Sequence, residues 1–162
     1  MKTTLTTLLL LVVVATTGFS QKKNPIISEL KNNEVNIKLH KLIEFHDYRA
    51  KSGNTFLIAD ITIENISAKN IEMGAEYTMS INLKDADGNE YRSGLRGAGI
   101  VSSYLTKSKN EKQDQKAYNL CFGNSFPSKT KARSLLCGFE VPKEAEIVSF
   151  GVKKKNLWST VK

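Results

Sequence analysis

The feature that most constrains the fold of this chain is the recurrence of apolar residues at every second position. Alternation of this kind indicates β-strands with one buried and one solvated face. It occurs in the segments 35–45 (where Lys41 is an exception), 57–63, 77–83, 135–141 and 148–152. We find no comparable stretch with apolar residues at i, i+3, i+4 and i+7, so the sequence predicts no long amphipathic helix.

The breaks between these segments carry turn residues. Asp87-Gly88 lies in the segment 85–89 and is a strong hairpin signal, because a tight turn requires positive φ. The returning strand is then 90–92, and the segment 117–122 is a further strand candidate. About seven short strands with one apolar face each are most economically satisfied by two facing sheets. The prediction is therefore an all-β fold, an antiparallel β-sandwich.

Three segments carry a resemblance to a known family. They are 55–65 (TFLIADITIEN), 85–91 (DADGNEY) and 138–145 (GFEVPKEA). Together they resemble an immunoglobulin-like family of secreted bacterial proteins and lipoproteins of unknown function, related in fold to the mycobacterial immunoprotective extracellular antigen. The resemblance spans about residues 34–153 and implies an immunoglobulin-like sandwich, but it brings no catalytic residues. One departure is the segment 125–131, which stands where the family usually has a Pro-Gly turn.

The N-terminus has the composition of a secretory signal peptide. Lys2 precedes the apolar run 8–15, and the small residues Gly18 and Ser20 occupy the −3 and −1 positions of a predicted cut before Gln21. An uncleaved anchor is the alternative, but eight apolar residues are fewer than the roughly 20 that span a bilayer. The sequence thus predicts an exported protein, periplasmic or extracellular. Its expected parts are a signal peptide (1–20), a flexible lead-in (21–33), the sandwich (34–153) and a basic tail containing Trp158 (154–162).

The chain is basic, with 24 Lys and Arg against 16 Asp and Glu, a formal charge of +8. Only Lys2 lies in the signal segment, so +7 remains after its removal. In an exported protein this charge favours anionic glycans, lipid headgroups or acidic proteins over nucleic acid as partners. Plain solubility is the alternative explanation.

The sequence contains two cysteines, Cys121 and Cys137. In an oxidising compartment a lone pair of cysteines usually bonds to itself, which predicts a Cys121–Cys137 disulfide. The alternative is that both are reduced and buried as small apolar residues.

Motifs that would indicate catalysis or cofactor binding are weak. The two histidines, His40 and His46, fall on the same side of one predicted strand about 20 Å apart, too far to share a metal ion. The segment 85–89 only partly matches an EF-hand loop, and the glycines of 94–99 are better explained by an irregular strand than by a phosphate loop. We therefore expect no enzyme activity, no cofactor and no metal.

Aromatic residues around a polar loop supply the candidate binding surface. The loop 106–116 contains no large apolar residue, and several aromatic side chains flank it. The candidate residues are Tyr104, Tyr118, Phe122, Phe126 and Trp158. Packing in the core, or against the sandwich edge for Trp158, is the alternative for these side chains.

Three functions are compatible with these observations. The first is an exported non-enzymatic module that binds another envelope or extracellular protein through the 95–130 region. The second is a glycan-binding domain that uses surface aromatics and basic residues. The third is a structural or stress-related envelope protein.

Overall fold

The fold, seen in a computed structural model, consists mainly of two antiparallel β-sheets. The structure describes residues 25–107, 122–123 and 125–162. Sheet 1 has the strand order β1-β2-β3-β6, formed by β1 (Ser28–Lys31), β2 (Val35–Phe45), β3 (Asn54–Asn65) and β6 (Lys131–Pro142). Sheet 2 has the order β5-β4-β7-β8, formed by β4 (Ile81–Asp85), β5 (Glu90–Arg92), β7 (Ile147–Val152) and β8 (Leu157–Thr160). Helix α1 (Gly94–Lys107) and the 3-10 turns Thr78–Ser80 and Lys153–Lys155 complete the described elements.

The two sheets enclose one hydrophobic core. Alternating residues of β2 and β3, such as Ile37 and Ile61, face Leu83 and Phe150 of sheet 2, and all four are fully buried. This arrangement confirms the predicted mostly β fold with two antiparallel sheets. The predicted strand 77–83 is shorter than expected, since a 3-10 turn occupies Thr78–Ser80 and β4 begins at Ile81.

A second apolar cluster lies on the outer face of sheet 1. Phe56 and Ile58 point away from the main core and are covered by Ile100 and Val101 of α1. The expectation of no long helix is therefore wrong: α1 spans 14 residues, and it covers apolar residues of a sheet face that would otherwise be exposed. The glycine-rich segment 94–99, expected to form an irregular strand, is the first part of this helix.

Helix α1 approaches sheet 1 at the level of the backbone. A Cβ placed on Gly97 would lie 2.1 Å from the carbonyl oxygen of Gly138 in β6, which no real side chain tolerates. Two ion pairs secure the helix: Arg96 with Glu140 at 2.8 Å beside this contact, and Lys107 with Asp47 at 2.8 Å at the C-terminal end of α1. Hydrogen bonds from Arg49 and Lys107 hold the pKa of Asp47 well below its usual range.

Irregularities flank β3 on both sides. The pairing of β2 with β3 skips His40, between Leu39 and Lys41, and the pairing of β3 with β6 shifts between Ala59 and Asp60. A bulge reverses the inward and outward alternation beyond it. The skipped residue explains why Lys41 interrupts the apolar pattern of β2.

The ends of the described chain are parts of the sheets. Strand β1 falls within the segment expected to be a flexible lead-in, and β8 falls within the expected basic tail. Strand β8 pairs with β7, and the Lys162 amide donates to the Ile27 carbonyl at 2.9 Å. In the part of the chain that the structure describes, no helix is long and apolar enough to cross a bilayer.

Candidate functional site

Four of the five aromatic residues predicted as a binding surface belong to the described part of the chain, and these four do not form one surface. Tyr104, a residue of α1, packs edge-to-face on Phe45 with the ring centres 5.5 Å apart, and Phe126 is completely buried in the main core. Phe122 is partly buried near the start of α1, whereas Trp158 lies on sheet 2. Tyr118 lies outside the described residues.

The predicted disulfide also falls partly outside them. Cys121 is not among the described residues, and the buried Cys137 places its sulfur 3.9 Å from the carbonyl oxygen of Thr78. The Cys121–Cys137 bond stays a prediction.

An apolar cleft opens beside the N-terminal end of α1. Its volume is about 240 Å³, and it is lined by Thr78, Met79, Ser93, Gly94, Leu95, Ala98 and Phe122. Two of its apolar side chains reach solvent, since Met79 is 44 % exposed and Leu95 is 85 % exposed. Exposed apolar residues clustered around a concavity are typical of binding sites. We call this the α1 cleft.

A larger groove, lined mainly by polar and charged residues, adjoins the α1 cleft. It encloses about 570 Å³ and is lined by Ala75, Met79, Ser80, Asn82, Glu90, Arg92, Lys153 and Lys154. Met79 lines both spaces, so cleft and groove are neighbours on the surface. Strands β4 and β5 position the polar residues, because Asn82 pairs directly with Arg92 across the two strands. We call this the cationic groove.

Ion pairs order most of the charges around the cationic groove. One oxygen of the Glu90 carboxylate accepts a hydrogen bond from Lys153 Nζ at 2.5 Å, and the other lies 3.2 Å from Lys84 Nζ. These two lysines hold the pKa of Glu90 below its usual value. Glu76 pairs with Lys154 and with Lys155, which lowers its pKa to about 2.

Arg92 differs from these lysines. It is exposed and forms no ion pair with any described residue. Arg92 also lies two residues before the first turn of α1, which contains no acidic residue. Because the N-terminal end of a helix carries partial positive charge, this corner of the molecule favours an anion.

Trp158 lies on the outer face of sheet 2. Its ring covers Gly151, where an added Cβ would come within 2.3 Å of the indole. The Lys84 ammonium lies 4.0 Å from the ring centre, within the range of a cation–π interaction. Lys84 also contacts Glu90, so Trp158 is connected to the edge of the cationic groove through one lysine.

The histidines and the acidic turn have structural partners. His40 Nε2 lies 2.8 Å from Thr62 Oγ1, and His46 Nδ1 lies 3.3 Å from Thr55 Oγ1.

In the acidic turn, the Asp85 carboxylate accepts hydrogen bonds from the backbone amide of Asn89 at 2.8 Å and from the Tyr91 hydroxyl at 2.5 Å. These bonds lower the pKa of Asp85, and burial together with the Asp85 bond raises the pKa of Tyr91 to about 12. Among the described residues, no group of three or more His, Cys, Asp or Glu side chains could hold a metal ion.

Sequence reasoning missed Met79 and Arg92, and it included Leu95 in the 95–130 region without recognising its helix. Met79 falls on an alternating segment and was interpreted as a core position, but the 3-10 turn carries it to the surface. Leu95 was assigned to an irregular strand. The missed signal is the set Ile100, Val101, Tyr104 and Leu105, whose spacing matches one face of a helix and therefore places Leu95 in its first turn.

Comparisons with known proteins show the fold alone. No protein-family model matches the sequence, and the curated proteins give no significant match. A conserved hypothetical protein of Bacillus anthracis has a similar structure, with a TM-score of 0.56 and 13 % identity over 83 % of this chain and 92 % of that one. A candidate lipoprotein of Bacillus subtilis is more distant, with a TM-score of 0.42 and 12 % identity. The match covers 75 % of this chain and 31 % of that one.

Proposed function

We propose that this protein is an exported, non-enzymatic, immunoglobulin-like module that binds another envelope or extracellular protein. The signal-peptide composition of residues 1–20 supports export. The α1 cleft supplies the binding surface. Its residues Leu95, Ala98 and Phe122 belong to the 95–130 region in which the sequence places recognition.

The strand connectivity supports the immunoglobulin-like part of the proposal. In the variable-type fold, strands C′-C-F-G form one sheet, and strands A, B and E lie side by side in the other. Sheet 2 has the same order when β5, β4, β7 and β8 take the places of C′, C, F and G. The neighbours β2, β3 and β6 then take the places of A, B and E, and α1 lies in the connection between C′ and E.

The observation that carries the binding proposal is the exposure of Leu95 and Met79 at the rim of the α1 cleft. A leucine that leaves 85 % of its surface in water contributes little to folding. Placed beside a cleft, it can contribute on contact with a partner, because protein interfaces gain most from apolar side chains at their centre.

A site-specific cross-linking experiment tests this proposal. We would place a photo-reactive amino acid at Leu95 in the protein produced in its native host, and the same amino acid at Tyr48 as a control. Tyr48 is 90 % exposed and belongs to the β2–β3 loop. The proposal expects a defined cross-linked protein from position 95 that position 48 does not give. Identical products from both positions, or none from position 95, would contradict it.

Glycan binding is a second candidate function, and Trp158 is the observation that favours it. The indole lies flat on the sheet with the Lys84 ammonium over its ring, so it can stack on a sugar ring once the ammonium moves aside to contact an acidic group. A glycan array at moderate salt tests it, with Trp158→Ala as the variant. Specific hits that this variant loses would support glycan binding, and an array without such hits would leave the protein partner as the better proposal.

A further inference from the structure

We infer that the element recognised by the α1 cleft and the cationic groove is an acidic peptide segment that carries one large apolar side chain. This inference rests on the proposed function and specifies the chemistry of the partner. The apolar side chain would enter the α1 cleft, and neighbouring carboxylates would lie along the cationic groove.

The size of the α1 cleft matches a single side chain. Its volume of about 240 Å³ lies below the roughly 300–1,000 Å³ typical of sites for whole small molecules. An apolar cavity of about 150 Å³ already holds a benzene molecule, so the cleft accommodates a leucine-sized or aromatic side chain. A long acyl chain would extend beyond it.

The charges around the cationic groove select an acidic segment. Three cations, Arg92, Lys153 and Lys154, line it against one acid, Glu90. Lys153 forms an ion pair with Glu90 and Lys154 one with Glu76. Arg92 has no ion-pair partner among the described residues. An arginine presents a planar fork of donors that matches a carboxylate in two hydrogen bonds.

The two spaces are close enough for one short segment to occupy both. Met79 lines the cleft and the groove, and Arg92 of the groove is adjacent in sequence to Ser93 of the cleft. A peptide whose apolar residue lies within a few positions of an acidic residue therefore satisfies both surfaces at once. Neither space alone would specify this combination.

Selection from a library of random 12-residue peptides displayed on phage tests the inference. The intact protein is the target, and unselected phage give the background composition. We expect the enriched peptides to share a large apolar residue flanked by Asp or Glu. Synthetic versions of the enriched peptides should bind at least ten times more weakly when that apolar residue is replaced by Ala, and their affinity should fall with added salt.

Four variants connect the selected peptides to the two surfaces. Arg92→Glu should weaken binding at least tenfold, whereas Lys143→Glu, the same charge reversal in the β6–β7 turn, should change it less than twofold. Ala98→Leu fills the α1 cleft and should also weaken binding at least tenfold. Ser102→Leu adds the same side chain at an exposed position of α1 and is its control. Because Arg92 is exposed, the test does not depend on Ala98→Leu folding normally.

Several outcomes would overturn the inference. They are an absence of enrichment, enriched peptides without the acidic and apolar pair, and binding that Arg92→Glu leaves unchanged. Anionic phosphatidylglycerol vesicles that displace the peptide from the wild type, and that bind the wild type directly but not Ala98→Leu, would instead assign the cleft to lipid. If cross-linking from Leu95 identifies a protein while the selection fails, only this inference is wrong, and the proposed function stands.

Discussion

At the scale of single residues, Tyr77 connects the loop before β4 to the turn between β1 and β2. Its side chain is 1 % exposed, and its hydroxyl donates to Glu34 at 2.6 Å. Asn32 donates to the same hydroxyl at 3.3 Å. Burial and the bond to Glu34 raise the pKa of Tyr77 to about 12, so the hydroxyl keeps donating at pH values where a free tyrosine ionises.

Tyr77→Phe should therefore destabilise the protein. The change removes a buried hydrogen bond to a carboxylate, and such bonds contribute about 1.5–3 kcal/mol. We expect the free energy of unfolding in urea to fall by about 1–2 kcal/mol, since Glu34 retains Lys69 at 3.7 Å. The control is Tyr48→Phe, at an exposed position, which should change stability by less than about 0.5 kcal/mol. Equal effects of the two substitutions would contradict the role given to Tyr77.

Glu76 gives a prediction about pH. Its pKa is about 2 in the folded protein, against an ordinary value of 4.5, because Lys154 and Lys155 stabilise the carboxylate. Between these values the unfolded chain binds more protons than the folded one, so the contribution is fully present above pH 4.5 and is lost as the pH falls towards 2. Glu76→Gln should therefore lose less thermal stability than the wild type between about pH 5 and pH 2.5. Circular dichroism melts measure this, and Glu144→Gln, at an exposed position without an ion pair among the described residues, should behave like the wild type.

At the scale of elements, the sequence predicts strand β3 but not the element that covers its outer face. The residues Ala59, Ile61 and Ile63 follow the period of two and face the core as the pattern requires. The run from Phe56 to Ala59 is apolar without a break, which is typical of a strand covered on both faces. That signal was present, but it does not say whether a helix, a loop or another chain supplies the cover.

Helix α1 was not predicted because its first half works against a helical assignment. Three glycines in 94–99 lower helix propensity and resemble a loop. One of them, Gly97, is required by the contact with Gly138, which is a property of the folded protein and has no local signature. Tertiary packing thus overrides propensity in this element.

Two of the three glycines of this helix, Gly97 and Gly99, should change the stability in opposite directions when they are replaced by alanine. Gly97→Ala places a methyl group against the β6 backbone and should cost about 1–3 kcal/mol. Gly99→Ala meets nothing within 4 Å and should stabilise the protein by about 0.5–1 kcal/mol, since alanine is the better helix former. Urea unfolding of both variants measures the difference. If Gly97→Ala is as stable as Gly99→Ala, the close approach of α1 to β6 is wrong.

At the scale of the whole molecule, β8 closes one side of the fold. Leu157 and Val161 pack against the main core, and the Lys162 amide reaches back to Ile27 before β1. The segment 154–162 was expected to be a basic tail because its lysines dominate its composition. Its apolar residues are few, but they follow the strand alternation once Leu157 is placed opposite Val152.

Removal of residues 157–162 should consequently destabilise the entire protein. The truncated chain loses the burial of Leu157 and Val161 and exposes Val152, which together should cost at least about 3 kcal/mol. Lys154→Gln retains β8 and should cost less than about 1 kcal/mol. Thermal unfolding measures both, and a truncated chain as stable as the full one would show that β8 is dispensable.

The candidate site was only partly predictable from the sequence, because the arrangement of the whole molecule assembles it. The region 95–130, in which the sequence predicts recognition, contains Leu95, Ala98 and Phe122 of the α1 cleft. Met79, Arg92 and Lys154 of the neighbouring groove are distant in sequence, and they meet because β4, β5 and the turn after β7 end at the same corner of sheet 2. Only the order of strands in the sheet brings them together.

The position of Trp158 has an optical consequence. It is the single tryptophan of the chain, so the indole emission of this protein reports one place. That place is the outer face of sheet 2, where Lys84 connects the ring to Glu90 and thus to the cationic groove. The protein therefore carries its own fluorophore next to one of its two candidate surfaces. Occupation of the groove can be followed by light without attaching a dye.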